Sequence, residues 1–173
     1  MEIAKSWETW LIQLRSPDAA QRATAAEELS HLGEGAQPAA LGLLATCEDE
    51  DPTVCEQAIS ALESLGPPAL ADLPQILPLT QSSATDVAYW AITLLGRLEA
   101  QAKAAVEPLT GCLAPQRPLA VRQRAAWALG RIGHAPAATL TALQQASQDP
   151  DPRLSRLALQ AMQQCANHEP ESR

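Results

Sequence analysis

Two tryptophans and three arginines are the residues of this chain best suited to hold another molecule: Trp90 and Trp127, with Arg97, Arg124 and Arg131. Trp and Arg are enriched where proteins bind one another, because an indole buries a large flat area and a guanidinium presents five rigidly arranged donors. Residues for covalent or acid–base chemistry are not arranged for it. The four cysteines, Cys47, Cys55, Cys112 and Cys165, form no Cys-x-x-Cys pair, and His31, His134 and His168 are scattered. Four converging ligands for zinc are therefore not expected, and neither a metal nor any other cofactor is implied. No Ser/His/Asp set, phosphate loop or pair of catalytic carboxylates stands out, so the chain is not expected to be an enzyme.

The elements that must position these side chains follow from a longer rhythm. Trp90 and Arg124 are 34 residues apart, as are Arg97 and Arg131. Five boundary positions, Gly33, Gly66, Glu99, Gly133 and Ala166, recur at steps of 33, 33, 34 and 33 residues. Before each boundary lies a column of Ala (Ala25, Ala58, Ala91, Ala125, Ala158) followed four residues later by Leu29, Leu62, Leu95, Leu129 or Met162. A fixed period near 33 predicts a repeat array, which offers one long surface to partners rather than a catalytic pocket. The expected organisation is one repeat domain over 1–166, with repeats 1–33, 34–66, 67–99, 100–133 and 134–166, then a flexible polar tail, 167–173.

Each repeat reads as two helices. Asp51-Pro52 supplies a capping carboxylate and a proline at the first helical position, and Val54, Ala58, Ala61, Leu62 and Leu65 then recur at helical spacing up to Gly66. Asp151-Pro152 repeats that start, and Asp18 follows Pro17 in the first copy. The first halves are predicted helical over 6–15, 38–47, 70–80, 104–113 and 139–147, which makes ten helices in five antiparallel pairs. Pro74 and Pro108 fall inside two of them at one register, 25 residues before the boundary, and predict a recurring bend. Cys165 stands in a core column that holds Leu or Ile elsewhere, as a small apolar residue.

Ankyrin repeats need Thr-Pro-Leu-His, which no copy has, and tetratricopeptide repeats need aromatic positions that a chain with no Phe and one Tyr cannot fill. The fourth copy reads Val121-Arg122-Gln123-Arg124-Ala125-Ala126-Trp127-Ala128-Leu129-Gly130-Arg131-Ile132-Gly133. It resembles the Val-Arg-x-x-Ala-x-x-Ala-Leu-Gly-x-Ile-Gly signature of compact bacterial HEAT-like repeats, the type also found in phycobilisome lyase subunits. The resemblance implies an all-α fold, an α-solenoid of five HEAT-like helical hairpins in a right-handed superhelical stack. The signature arginine occurs as Arg22 and Arg122, whereas the other copies have Cys55, Ala88 and Ser155. In the family it tends to pair with the Asp at the helix start, so Asp18–Arg22 is expected to be the complete pair.

In such stacks the second helices line a concave side. On a helical wheel three columns lie opposite the apolar arc: Thr24, Gln57, Trp90, Arg124, Leu157; Glu27, Ser60, Thr93, Trp127, Gln160; and His31, Ser64, Arg97, Arg131, Gln164. Trp90 and Trp127 with Arg97, Arg124 and Arg131 are expected to form a partner-binding patch there, whereas Trp7 and Trp10 are expected to cap the first repeat. Charge is uneven: residues 34–66 hold seven acids and no Lys or Arg, while 100–133 hold five bases against Glu107.

The expected function is a non-catalytic scaffold or adaptor, a monomer that grips a helix or extended segment of another protein. The alternative implied by the resemblance is a lyase-like subunit or accessory protein of an enzyme handling a tetrapyrrole. Some basic HEAT-like glycosylases bind nucleic acid, but a formal charge of −8 disfavours phosphate. HEAT-like iron hydroxylases carry several His-Glu pairs, and here there is His168-Glu169 alone. No run of 18 apolar residues and no signal-like start are present, which leads to an expectation of a cytoplasmic protein without membrane contact.

Overall fold

Alanine and leucine at helical spacing, punctuated by Asp-Pro starts and glycine stops, fold as that pattern demands. The computed structural model describes residues 7–168, and among them there are helices and no strands. Met1 to Ser6, and Glu169 to Arg173 of the expected tail, lie outside the described residues. The chain divides into two compact units, Met1–Asp72 and Leu73–Arg173.

The first unit holds α1 (Trp7–Gln13), α2 (Ala19–Leu32), α3 (Ala40–Thr46) and α4 (Pro52–Ser64). The second helices α2 and α4 pack along each other, and α1 and α3 pack on their own partners. Asp18 caps α2 by accepting from Ala20 N at 2.9 Å, and Asp51 caps α4 by accepting from Thr53 N at 2.8 Å. Trp10 is buried.

The second unit holds α5 (Leu73–Ile76), α6 (Thr85–Arg97), α7 (Val106–Gly111), α8 (Leu119–Ile132), α9 (Ala137–Ala146) and α10 (Pro152–His168). Here the second helices α6, α8 and α10 pack in succession, with α7 against α8 and α9 against α10. Close approach between them depends on glycine. A Cβ on Gly96 would meet Trp127 Cζ3 at 2.5 Å and Ala128 Cβ at 3.0 Å, and one on Gly130 would meet Ala161 Cα at 3.0 Å.

The repeat columns have a direct physical meaning. Ala25, Ala58, Ala91, Ala125 and Ala158 are all 0% exposed, as are Leu29, Leu62, Leu95 and Leu129. Four of the boundary residues share a positive φ as well: 53° at Gly33, 77° at Gly66, 68° at Gly133 and 52° at Glu99. A left-handed residue ends a helix by turning the chain away, and glycine does so without a Cβ penalty. Ala166 differs, because α10 continues through it to His168. The tail expected from residue 167 therefore begins as helix.

The first helices depart from expectation. Leu70–Asp72 is a 3-10 turn, followed by four residues of α5 and a second 3-10 turn over Leu77–Gln81. A 3-10 stretch, Glu99–Ala105, likewise precedes α7. Pro74 and Pro108 thus lie in the first turn of short α segments, where the missing N–H has no intrahelical acceptor to lose. They do not bend long helices, because the helices they were expected to bend are already composite.

The signature arginine also pairs differently. Arg22 does not bond Asp18; it reaches the next repeat, Nε to Asp49 Oδ2 at 2.7 Å and Nη2 to Asp49 Oδ1 at 2.8 Å. Arg122 pairs with the equivalent Asp149, but through Nη2 alone at 2.5 Å, while its Nε donates to the Leu113 carbonyl at 3.3 Å. In Asp49-Glu50-Asp51 and Asp149-Pro150-Asp151 the first Asp takes the arginine and the second caps the following helix. These pairs are largely shielded from water, with side-chain exposures of 10 and 11% for the first and 12 and 14% for the second. Where Ala88 replaces the arginine, Arg117 works in reverse, donating Nη2 to the Thr80 and Ser82 carbonyls at 3.0 and 3.3 Å.

The hydrogen bond from Arg22 holds the Asp49 carboxyl below its ordinary range. The Asp151 backbone N–H, and after it Arg122, does the same for Asp149. A carboxyl depressed in the folded state adds stability above its unfolded pKa of about 4 and loses it as pH falls through the folded value. The urea midpoint should therefore drop between about pH 5 and about pH 2. In Arg22→Met it should start lower and drop less, which a pair of denaturation series at the two pH values checks.

Candidate functional site

The second unit brings an arginine between two aromatic rings. Arg124 of α8 places Cζ 4.3 Å from the Tyr89 ring centroid and 4.9 Å from that of Trp127. Tyr89 comes from α6, and Trp127 lies one turn beyond Arg124 on α8. Cation–π contacts of this kind hold a guanidinium by its faces and leave its N–H donors for another acceptor. Tyr89, Arg124 and Trp127, with Ala120 and Gln123 of α8 and Arg153 and Leu157 of α10, line a pocket of about 240 Å³.

The pocket is basic and under-neutralised. Among the described residues neither Arg124 nor Arg153 pairs with a carboxylate. Burial pushes Arg124 below the ordinary arginine range, and the positive charge of Arg153 adds to the effect. It stays protonated at neutral pH all the same. The neighbouring Asp151 is already engaged: it accepts from Leu154 N at 2.7 Å and from Gln123 Nε2 at 2.9 Å.

The residues expected in the patch therefore separate into three groups. Arg124 and Trp127 meet in the pocket, with Trp127 half-buried. Trp90 is buried, 6% exposed, and packs edge-on against Tyr89 with centroids 5.5 Å apart, so it supports the pocket from behind. Arg97 lies over the Trp90 ring at 5.9 Å. Arg131 is exposed and ion-paired with Glu99, the one non-glycine residue with positive φ among the described residues. None of Trp90, Arg97 and Arg131 lines the pocket.

Tyr89 and Arg153 were missed. Tyr89 sits one position before the Trp90 column, and wheel columns compare equivalent positions rather than the side chains that meet between helices. Arg153 is four residues before Leu157, a residue already placed on the solvent face, and that helical spacing was the available signal.

Cys47, Cys55, Cys112 and Cys165 are thiols, and among the described residues no group of three or more His, Cys, Asp or Glu is placed to hold a metal. No described helix is long and apolar enough to cross a membrane.

Comparison with known proteins bears on the fold. No curated protein sequence gives a significant match. Among solved structures, an engineered protein superimposes with a TM-score of 0.65 at 18% identity, over 92% of this chain and 81% of that one. A designed armadillo repeat protein in complex with the peptide (KR)4 gives 0.63 at 13% identity, over 90% of this chain and 80% of that one. The complex of CpcE and CpcF of phycocyanin lyase from Nostoc sp. PCC7120 gives 0.59 at 20% identity, over 90% of this chain and 97% of that one. At these identities the likeness concerns the fold alone. The sequence model for HEAT repeats matches residues 73–163, just over half of the chain. With the buried Ala and Leu columns and the left-handed repeat boundaries, that match means that the chain belongs to the HEAT repeat family.

Proposed function

We propose that this protein is a non-catalytic interaction scaffold whose second unit holds a segment of another protein, helical or extended, along α6, α8 and α10. The observation that carries the reading is Arg124, half-withdrawn from water between Tyr89 and Trp127 and without a carboxylate partner. Withdrawing a cation from water costs free energy that no acid in the described structure offsets, and rigid aromatic and arginine anchors are what binding surfaces concentrate. Repeat folds of this kind present side chains from successive helices along one line, which suits an elongated ligand. The designed armadillo protein bound to a peptide is an instance of such use.

A tetrapyrrole fits the pocket less well than a side chain does. Cavities that enclose a drug-sized molecule span about 300–1,000 Å³, and this one is about 240 Å³.

The test is affinity purification from native cells with wild type and with the Trp127→Leu, Arg131→Ala double variant. Leucine keeps apolar bulk against Gly96, and circular dichroism verifies the fold of the variant. Loss of co-purifying proteins by about tenfold or more is the expected outcome, equivalent to about 1.4 kcal/mol. An unchanged set of partners removes the assignment to this face.

A further inference from the structure

The scaffold reading leaves the chemistry of the ligand open, and the pocket narrows it. Two arginines from adjacent second helices face one cavity without an acid to neutralise them, and two aromatic rings immobilise the inner one. Like charges brought together repel, so burial first and then the positive charge of Arg153 disfavour the charged form of Arg124. A bound carboxylate would reverse that sign. It would gain charge-assisted hydrogen bonds from both guanidinium groups in a partly dry setting, where such bonds are strongest.

Size and lining agree with the charge. About 240 Å³ accommodates a single side chain with its immediate neighbour, and the wall combines Trp127, Tyr89 and Leu157 with the two arginines. An aspartate or glutamate beside an apolar residue matches both halves of that wall. Residues 100–133 carry five bases against one acid in a chain of formal charge −8, and of these Arg122 and Arg131 are taken by Asp149 and Glu99 while Arg124 has no carboxylate partner. Long-range charge would repel an acidic segment from most of this protein, so an acidic ligand that binds must find a local site.

We infer that the pocket formed by Tyr89, Arg124, Trp127 and Arg153 is an acid-recognition site, taking the carboxylate of an Asp or Glu flanked by an apolar residue in an acidic segment of a partner protein. The inference rests on the scaffold reading and adds the ligand class. It also assigns roles: Arg124 is the donor held between its rings, and Arg153 is the exposed second donor.

The experiment is selection from a displayed random peptide library with the full chain, followed by titration of a fluorescently labelled selected peptide and its Glu→Gln analogue. The expected result is enrichment of sequences carrying Asp or Glu next to an apolar residue, with the acidic peptide binding at least about tenfold tighter than its amide analogue. Arg153→Gln, at an exposed position, is expected to weaken the acidic peptide several-fold and leave the analogue unchanged. Arg124→Gln should bring the two affinities within about twofold of each other. Selected peptides without acidic excess, or equal binding of acid and amide, overturn the acid assignment and leave the scaffold intact. Selection of nothing by wild type beyond what the Trp127→Leu, Arg131→Ala variant selects overturns both.

Discussion

Gly96→Ala is expected to destabilise the protein, although alanine is the better helix former. Replacing an interior helical glycine by alanine normally gains about 1 kcal/mol. At Gly96 the added methyl would stand 2.5 Å from Trp127 Cζ3 and 3.1 Å from Ala128 Cα, and the second of these is backbone that cannot rotate away. Overpacking of that kind costs about 1–3 kcal/mol, so the net change is a loss, and Gly96→Val enlarges it. Gly111 supplies the control. It is exposed at the end of α7, with nothing within 4 Å of an added Cβ, and Gly111→Ala should gain up to about 1 kcal/mol. Urea denaturation of the two variants checks the opposite signs. If both gain, Trp127 does not lie against α6. Because Trp127 is also a wall of the pocket, Gly96→Ala should weaken partner binding as well.

Leu129→Ala is expected to cost about 2–5 kcal/mol, the range for truncating a fully buried leucine whose cavity cannot collapse. Leu129 is 0% exposed in α8, a helix packed against both α6 and α10. The equivalent change in the last repeat, Met162→Ala, should cost no more than about half as much, because Met162 is only half-buried. The two positions are the same column in successive repeats, so the contrast compares a helix with second helices on both sides and the last one of the series. Equal losses at the two positions would mean that the column does not report stacking.

The repeat was legible because its markers are strong local signals. The Ala column at 25, 58, 91, 125 and 158 must be small where helices touch, and the Asp-Pro starts and left-handed boundaries are caps that act within a few residues. Glu99 kept its place in the series despite lacking glycine's freedom, and its carboxylate meets Arg131 of the following repeat. What stayed hidden depends on contacts between repeats. Arg22 and Asp49 are 27 residues apart, and a pairing assumed within one repeat could not find a partner in the loop of the next. The 3-10 turns around α5 and α7 escaped because apolar spacing does not distinguish i+3 from i+4 bonding over so few residues.

The candidate site was half legible for the same reason. Arg124 and Trp127 share α8, so a wheel finds them together. Tyr89 and Arg153 join them from neighbouring helices, at offsets fixed by how α6, α8 and α10 pack. Trp90 stands at the edge of the apolar arc, where its angle fits either an outward or a packed side chain, and it is buried beside Tyr89.

The most direct measurement is amide and indole chemical-shift mapping of the isotope-labelled full chain as a library-selected acidic peptide is added. The largest shifts should fall on the Trp127 indole, on the amides around Tyr89 and Arg124, and on those near Arg153, with the Trp10 indole unmoved. Shifts concentrated in α1 to α4, or on the first helices α7 and α9 with Trp127 silent, would contradict it.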